Sequence, residues 1–210
     1  MKPLVINLGL PKSGTTTLAT ALSAGGFSVA DHRLKERESR SDPDQERVFV
    51  GALLYQGLYE SGDPMALMPE YDALAEISYI YGKHSVWPQF DFALLQALRH
   101  HHPEVKFIAT RRDTAQHARS ITFWSNLGTQ RLPNSTVPGL PVGYGKTRDQ
   151  QMRWIDGHYG ALAQWFRNDP GYLEIDVADP DAQAAVSAFV GCDLPWWGKT
   201  NISQARTDET

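Results

Sequence analysis

The sequence holds one cysteine, Cys192. No internal disulfide can staple the fold, and no paired cysteines offer a zinc site. Long apolar runs are missing as well: Leu4-Val5-Ile6-Asn7-Leu8 is cut off by Pro11 and Lys12, too short for a signal-peptide core or a membrane span. Nor is there a surplus of positive charge. With 20 Lys and Arg against 24 Asp and Glu, the formal net charge is −4, so no overall basic field draws in nucleic acid or an anionic membrane. These absences predict a soluble cytoplasmic protein, with no nucleic-acid or membrane partner, whose anion sites are made locally. A core is available: 41% hydrophobic residues and six tryptophans in 210 residues fit a single domain over 1–210.

The chain is organised around Leu8-Gly9-Leu10-Pro11-Lys12-Ser13-Gly14-Thr15-Thr16-Thr17. An apolar strand enters this stretch, and a helix leaves it that stops at Gly25-Gly26. A strand, a small-residue turn and a helix can wrap a phosphate, because the first N–H groups of the helix point inward and its dipole favours negative charge. Lys12 adds a mobile cation, and the hydroxyls of Ser13, Thr15, Thr16 and Thr17 add donors. Gly9 and Gly14 have the spacing of the nucleotide-hydrolase loop, G-x-x-x-x-G-K-[ST], but Thr15 stands where its lysine belongs. As P-K-S-G-T-T, from Pro11 to Thr16, the stretch resembles the 5′-phosphosulfate loop of sulfotransferases that use 3′-phosphoadenosine 5′-phosphosulfate.

Farther along, a charged stretch from Asp31 to Glu46 reads as a solvated loop or exposed helix, or as part of an acceptor-binding rim. A helix is predicted from Val48 to Tyr59, and a buried strand over Tyr71 to Ile77 that carries Asp72 and Glu76. Carboxylates on so apolar a run are costly unless used or paired. Helical spacing from Phe90 to Leu98 ends at His100-His101-His102, a poor metal site that suits a helix C-terminus. Val105–Thr110 is a strand, and a helix runs from Asp113 to about Asn126. Leu127 to Lys146 has four glycines, three prolines and no clear period, so 127–148 reads as a mobile loop on the acceptor side. A helical stripe at Met152, Ile155, Tyr159, Leu162 and Phe166 follows, then a strand at Tyr172–Val177 and a helix from Asp181 to Val190. Strand and helix alternate throughout, which predicts an α/β fold with a parallel sheet covered on both faces and a site at the strand C-termini.

Arg112 leaves a strand end, with Ser120 eight residues on in the next helix. An arginine fork matches a phosphate, and a helical side chain leaning toward the N-terminus can approach the same anion. Lys106 to Ser120 resembles the 3′-phosphate-binding segment of sulfotransferases, K-x-x-x-x-x-R-D-P-x-x-R-A-x-S, with Thr114 for the proline and His117 for the inner arginine. Arg111 is the alternative ligand. Glu76-Ile77-Ser78-Tyr79 resembles the E-K-[ST]-x-x-Y segment of the heparan-type enzymes, in which the glutamate is the base; Ile77 replaces the lysine. Asp72 and His84 are the other candidates for the base, and Glu76 can also be read as a paired strand-end carboxylate. Pro195-Trp196-Trp197-Gly198-Lys199-Thr200-Asn201 resembles the C-terminal loop that closes over the nucleotide, making 192–210 a covering tail. Lys199 is then a ligand of the 3′-phosphate, while Trp196 and Trp197 serve equally well as core residues.

The resemblance implies a three-layer P-loop fold with a central, mainly parallel five-stranded sheet flanked by helices. It implies transfer of a sulfuryl group to a hydroxyl or amine of a small-molecule or glycan acceptor. The cofactor-binding set is Pro11, Lys12, Ser13, Gly14, Thr15, Thr16, Thr17, Arg112, Ser120 and Lys199, and the catalytic set Lys12, Glu76 and Asp72. No metal is implied, since the sulfuryl group carries a single negative charge. The alternatives are a P-loop kinase or hydrolase, disfavoured by Thr15 and by the lack of an aspartate for Mg²⁺ after an apolar strand, and a catalytically inactive nucleotide-binding module.

Overall fold

A computed structural model describes residues 2–34 and 48–198. Its strands are β1 (Val5–Asn7), β2 (Val29–Asp31), β3 (Ala73–Glu76), β4 (Tyr79–Tyr81), β5 (His84–Val86), β6 (Lys106–Arg111) and β7 (Tyr172–Asp176). The helices are α1 (Thr15–Ala24), α2 (Val50–Ser61), α3 (Phe92–His101), α4 (Thr114–Phe123), the single turn α5 (Leu132–Asn134), α6 (Arg148–Trp165) and α7 (Ala182–Val190). Five strands form one sheet in the order β2-β3-β1-β6-β7, each pair parallel. The fold is the α/β arrangement that the alternation predicted.

Successive residues of β1 show why both faces need helices. Val5 packs with Ala73 and Ile108 against Leu18 and Leu22 of α1 and Val186 and Val190 of α7. Ile6 points the other way, into a larger cluster with Leu74 and Phe107 that takes in Leu53 of α2, Leu98 of α3 and Ile155 and Leu162 of α6. An apolar residue on each face is what a covered parallel strand requires. Both clusters exclude water, at roughly 25 cal/mol for each Å² of apolar surface removed. From β1 the chain passes to the edge strand β2, returns to β3 beside β1, and then crosses to β6 and β7 on the other side. The crevice at the C-terminal end of β1 is therefore the topological switch point, where α/β sheets bind ligands.

Three local features depart from the expectations. Tyr79–Val86 is an antiparallel hairpin, with Tyr79 opposite Val86 and Tyr81 opposite His84. Gly82 turns it with a φ of 58°, in the left-handed region where a glycine is unstrained. Secondly, Leu127–Arg131 is a π-helical turn running into α5, and Leu127, Leu132, Val137 and Leu140 are buried. Their irregular spacing fits neither a helical nor a strand period, so this packing is invisible to a search for periodicity. Thirdly, helix α4 stops at Phe123, short of Asn126. The charged stretch lies partly outside the described residues, since 35–47 are not among them. Among the described residues no helix is long and apolar enough to cross a membrane.

Candidate active site

The loop after β1 is held from beneath by side chains of other elements. Asn7 Oδ1 accepts the N–H of Gly9 at 3.0 Å and the N–H of Thr110 at 3.1 Å, tying β1 to β6. A Cβ on Gly9 would come within 2.3 Å of Thr110 Oγ1 and 2.5 Å of its carbonyl, so no larger residue fits here. His158 Nε2 donates to the Leu8 carbonyl at 2.8 Å, and His117 Nε2 to the Pro11 carbonyl at 2.8 Å. The Tyr159 hydroxyl donates to the Thr110 carbonyl at 2.7 Å and accepts the Leu10 N–H at 3.4 Å. Burial pushes both imidazoles down to about 4, so they are neutral, N–H-donating struts at neutral pH.

On this base the loop presents charge and donors to one cavity of about 290 Å³. Lys12 sits at a φ of 72°, a left-handed conformation that costs a non-glycine residue about 1–2 kcal/mol. Its Nζ lies 3.5 Å from the centre of the Trp124 ring. Desolvation lowers its pKa first and Arg112 second, while Glu76 pulls the other way. Gly14 caps α1 at a φ of 115° without a side-chain hydrogen bond, and Leu18 N–H makes a bond of 3.1 Å to the Gly14 carbonyl. The N–H groups of the first helical turn are left as anion donors, the arrangement that a terminal phosphate requires.

Glu76 ends β3 on the other side of β1, only 9% exposed and on the cavity wall. Its Oε1 accepts the Ser78 hydroxyl at 2.7 Å and the Ser78 N–H at 3.2 Å. Desolvation raises its pKa to about 8, with Asp31 adding to the rise and Ser78 and Lys12 opposing it. Asp31 faces Glu76 across the β2–β3 pairing, at a register shift, and lines the same cavity. Arg112 and Ser120 also line it, from the end of β6 and from α4.

Other expected residues lie elsewhere. Ser13 is fully buried: its hydroxyl bonds Thr110 Oγ1 at 2.7 Å and its N–H goes to the Leu10 carbonyl at 3.1 Å. It braces the loop and does not line the cavity. Asp72 precedes β3, so it sits at the far edge of the sheet, roughly 13 Å of extended chain from Glu76. There it accepts the Ser28 N–H at 3.1 Å, which corrects its assignment to the catalytic set. His84 is exposed at the tip of the hairpin, away from the cavity. Arg111 is engaged by Glu174 in an ion pair. Ile77 is buried in the core, so the lysine position of the E-K pattern points away from solvent here. Lys199 lies outside the described residues. Next to it, Gly198 accepts the Thr17 hydroxyl at 3.0 Å, and Trp197 Nε1 donates to the Val177 carbonyl at 3.2 Å. The residues before Lys199 thus dock onto α1 and the end of β7.

Over residues 4–174 the sequence matches the family described as Sulfotransferase domain. The match begins before β1 and ends within β7, taking in the loop, Glu76, Arg112 and Ser120. The chain belongs to this sulfotransferase family. It is accordingly a transferase of sulfur-containing groups. No curated protein matches it.

Parts of the candidate site carry no signal in the sequence analysis. His117 was noted only as a departure from a motif, His158 not at all, and Tyr159 only as one residue of a core stripe. No local pattern distinguishes a loop strut from a core aromatic, because the partner carbonyls lie 106 and 150 residues away for the two histidines. Asp31 had a signal that could have been used: a carboxylate at the C-terminal end of a short apolar strand.

Proposed function

We propose that the sulfotransferase moves a sulfuryl group from 3′-phosphoadenosine 5′-phosphosulfate to a hydroxyl or amine of a small-molecule or glycan acceptor. The observation that carries this reading is convergence. A half-buried lysine, an uncapped helix N-terminus, an arginine–serine pair and a carboxyl group poised near neutral pH all face one cavity. The residues fit such a donor. Gly14 to Thr17 offer N–H groups, and Thr15 and Thr16 hydroxyls, to its 5′ end, and Arg112 with Ser120 offers a fork and a hydroxyl to its 3′-phosphate. When bound, the donor supplies the sulfuryl group and carries away the displaced charge.

Lys12 stabilises negative charge where it grows as the sulfur–oxygen bond breaks; placed in advance, it needs no reorganisation at that moment. Its position over Trp124 keeps it at the cavity, and among the described residues no ion pair ties it to a carboxylate. Glu76, ionised, takes the proton of the attacking hydroxyl. A base whose pKa lies near the working pH combines a usable charged fraction with real proton affinity, which burial has arranged here. Ser78 holds the carboxyl group in place through two hydrogen bonds to one oxygen and leaves Oε2 for the acceptor. The struts from His117, His158 and Tyr159 fix the loop beneath Lys12.

Incubation with ³⁵S-labelled phosphosulfate donor and a panel of hydroxylated and aminated small molecules and glycans tests the reading. Label should move to an acceptor in the wild type and fail to move in Lys12→Ala. Label that stays on the donor across the panel, with no nucleotide affinity, contradicts it.

A further inference from the structure

Among the described residues, the cationic side chains on the cavity wall are Lys12, Arg112 and Arg131. The proposed function uses the first two for the donor; Arg131 has no part in it. Among the described residues its buried Nε has no hydrogen-bond partner, and the ion pairs belong to Arg99, His102 and Arg111. Desolvation works against its charge. A guanidinium held against a cavity in this way is completed only when an anion arrives, and its fork matches a carboxylate bidentately.

The setting of Arg131 is built. It closes the π-helical turn, its N–H donating to the Asn126 carbonyl five residues back at 2.9 Å. Such turns cluster at functional sites because they place side chains that an α-helix cannot. Gly128 inside the turn is packed so tightly on α4 that a Cβ would meet Thr122 Cα at 2.9 Å. Gln151 Nε2 then clamps the turn from α6, donating to the Gly128 carbonyl at 3.1 Å and the Gly145 carbonyl at 2.9 Å. Position follows from neighbours. His32 is within electrostatic reach of Arg131 and lies against the backbone of Ser78, the residue that holds Glu76. Arg131 therefore stands on the side of the base, with Leu127, Ile80 and Trp87 as apolar walls.

We propose that Arg131 is the acceptor anchor, and that the acceptor is acidic: a hydroxyl-bearing carboxylic acid with an apolar or aromatic body. Its carboxylate pairs with Arg131 while its hydroxyl reaches Glu76. This rests on the sulfotransferase reading of the same cavity. It also predicts selectivity, because an acceptor without the anion leaves the buried Nε of a half-buried guanidinium unpaired.

The test is calorimetric titration of the full chain, saturated with 3′-phosphoadenosine 5′-phosphate, with matched pairs of acids and neutral amides. The probes are 4-hydroxyphenylacetate, 3-(4-hydroxyphenyl)propionate and 10-hydroxydecanoate, each against its amide. In at least one pair the acid should bind roughly 10- to 100-fold more tightly. Arg131→Gln should erase that gap and Arg131→Lys keep part of it, both with unchanged affinity for the nucleotide, which also reports an intact fold. The proposal is overturned if no pair shows a gap, absence of any binding included, or if the gap survives in Arg131→Gln. It is overturned equally if Arg131→Gln weakens the nucleotide as Arg112→Lys does, since Arg131 then serves the donor. If the nucleotide fails to bind the wild type, the donor reading fails instead, and the same titration without nucleotide decides the role of Arg131.

Discussion

Glu76 and Ser78 are joined twice through one oxygen: Glu76 Oε1 accepts the Ser78 hydroxyl at 2.7 Å and its N–H at 3.2 Å. Both bonds favour the ionised carboxylate, yet burial outweighs them and leaves the group at about 8. As a base it must be ionised, so single-turnover rates should rise with pH through about 8 and level off above it. Glu76→Gln keeps the shape and loses basicity. It should bind the donor nearly normally and lose a factor of roughly 10²–10⁴ in rate, with the pH dependence flattened. Asp72→Asn, at the far edge of the sheet, should leave the rate near wild type and lower Tm. Near-normal turnover in Glu76→Gln would move the base elsewhere, with Asp31 the next carboxyl to test.

Stability should respond to pH through the same buried groups. The folded pKa of Glu76 is raised from 4.5 to about 8, so the native state holds its proton more tightly than the unfolded chain. Its contribution is full below about 4.5 and is lost as pH rises through 8. His117 and His158 are depressed from 6.5 to about 4, so the unfolded chain binds their protons more tightly. Their contribution is full above 6.5 and is lost as pH falls through 4. His158→Gln retains a donor for the Leu8 carbonyl without the titration. Its Tm should therefore fall less than that of the wild type between pH 6.5 and 4, and Glu76→Gln should gain on the wild type as pH rises from 4.5 to 8 and keep that gain above 8. Parallel Tm curves for all three proteins would refute this account of the buried groups.

Donor binding and chemistry should separate between Arg112 and Lys12. Replacing the arginine fork by a point charge in Arg112→Lys should weaken nucleotide binding by about 1.5–3 kcal/mol, the worth of a charged hydrogen bond. Lys12→Ala should weaken binding too, but its larger effect should fall on the rate of the bound complex. A Lys12→Ala protein with unchanged single-turnover rate would remove Lys12 from charge stabilisation.

The sequence carried the frame of this site but not its supports. Leu4 to Gly25 announced strand, loop and helix because apolar runs and glycines are local signals. The same is true of the strand that leads into Arg112 and of Glu76 at the end of an apolar run. Ser13 was misplaced because a loop hydroxyl looks identical whether it faces a ligand or Thr110. Asp72 and Glu76 lie four residues apart at opposite ends of one strand, and only the sheet direction tells which is at the cavity edge. The hairpin at Gly82 has strands of only three residues each, too short to show an alternating pattern. Arg131 sits in a stretch without a period, and the side chain that clamps its π-helical turn, Gln151, lies twenty residues on.

The central claim is that the loop at Lys12 and the fork of Arg112 together hold a 3′-phosphorylated, 5′-charged adenosine. Calorimetric titration with 3′-phosphoadenosine 5′-phosphate, against ATP with Mg²⁺, tests it most directly. The account predicts that the 3′-phosphorylated nucleotide binds the wild type much more tightly than ATP and raises its Tm by mass action, with the preference collapsing in Arg112→Lys. Equal or tighter binding of ATP, unaffected by Arg112→Lys, would contradict it.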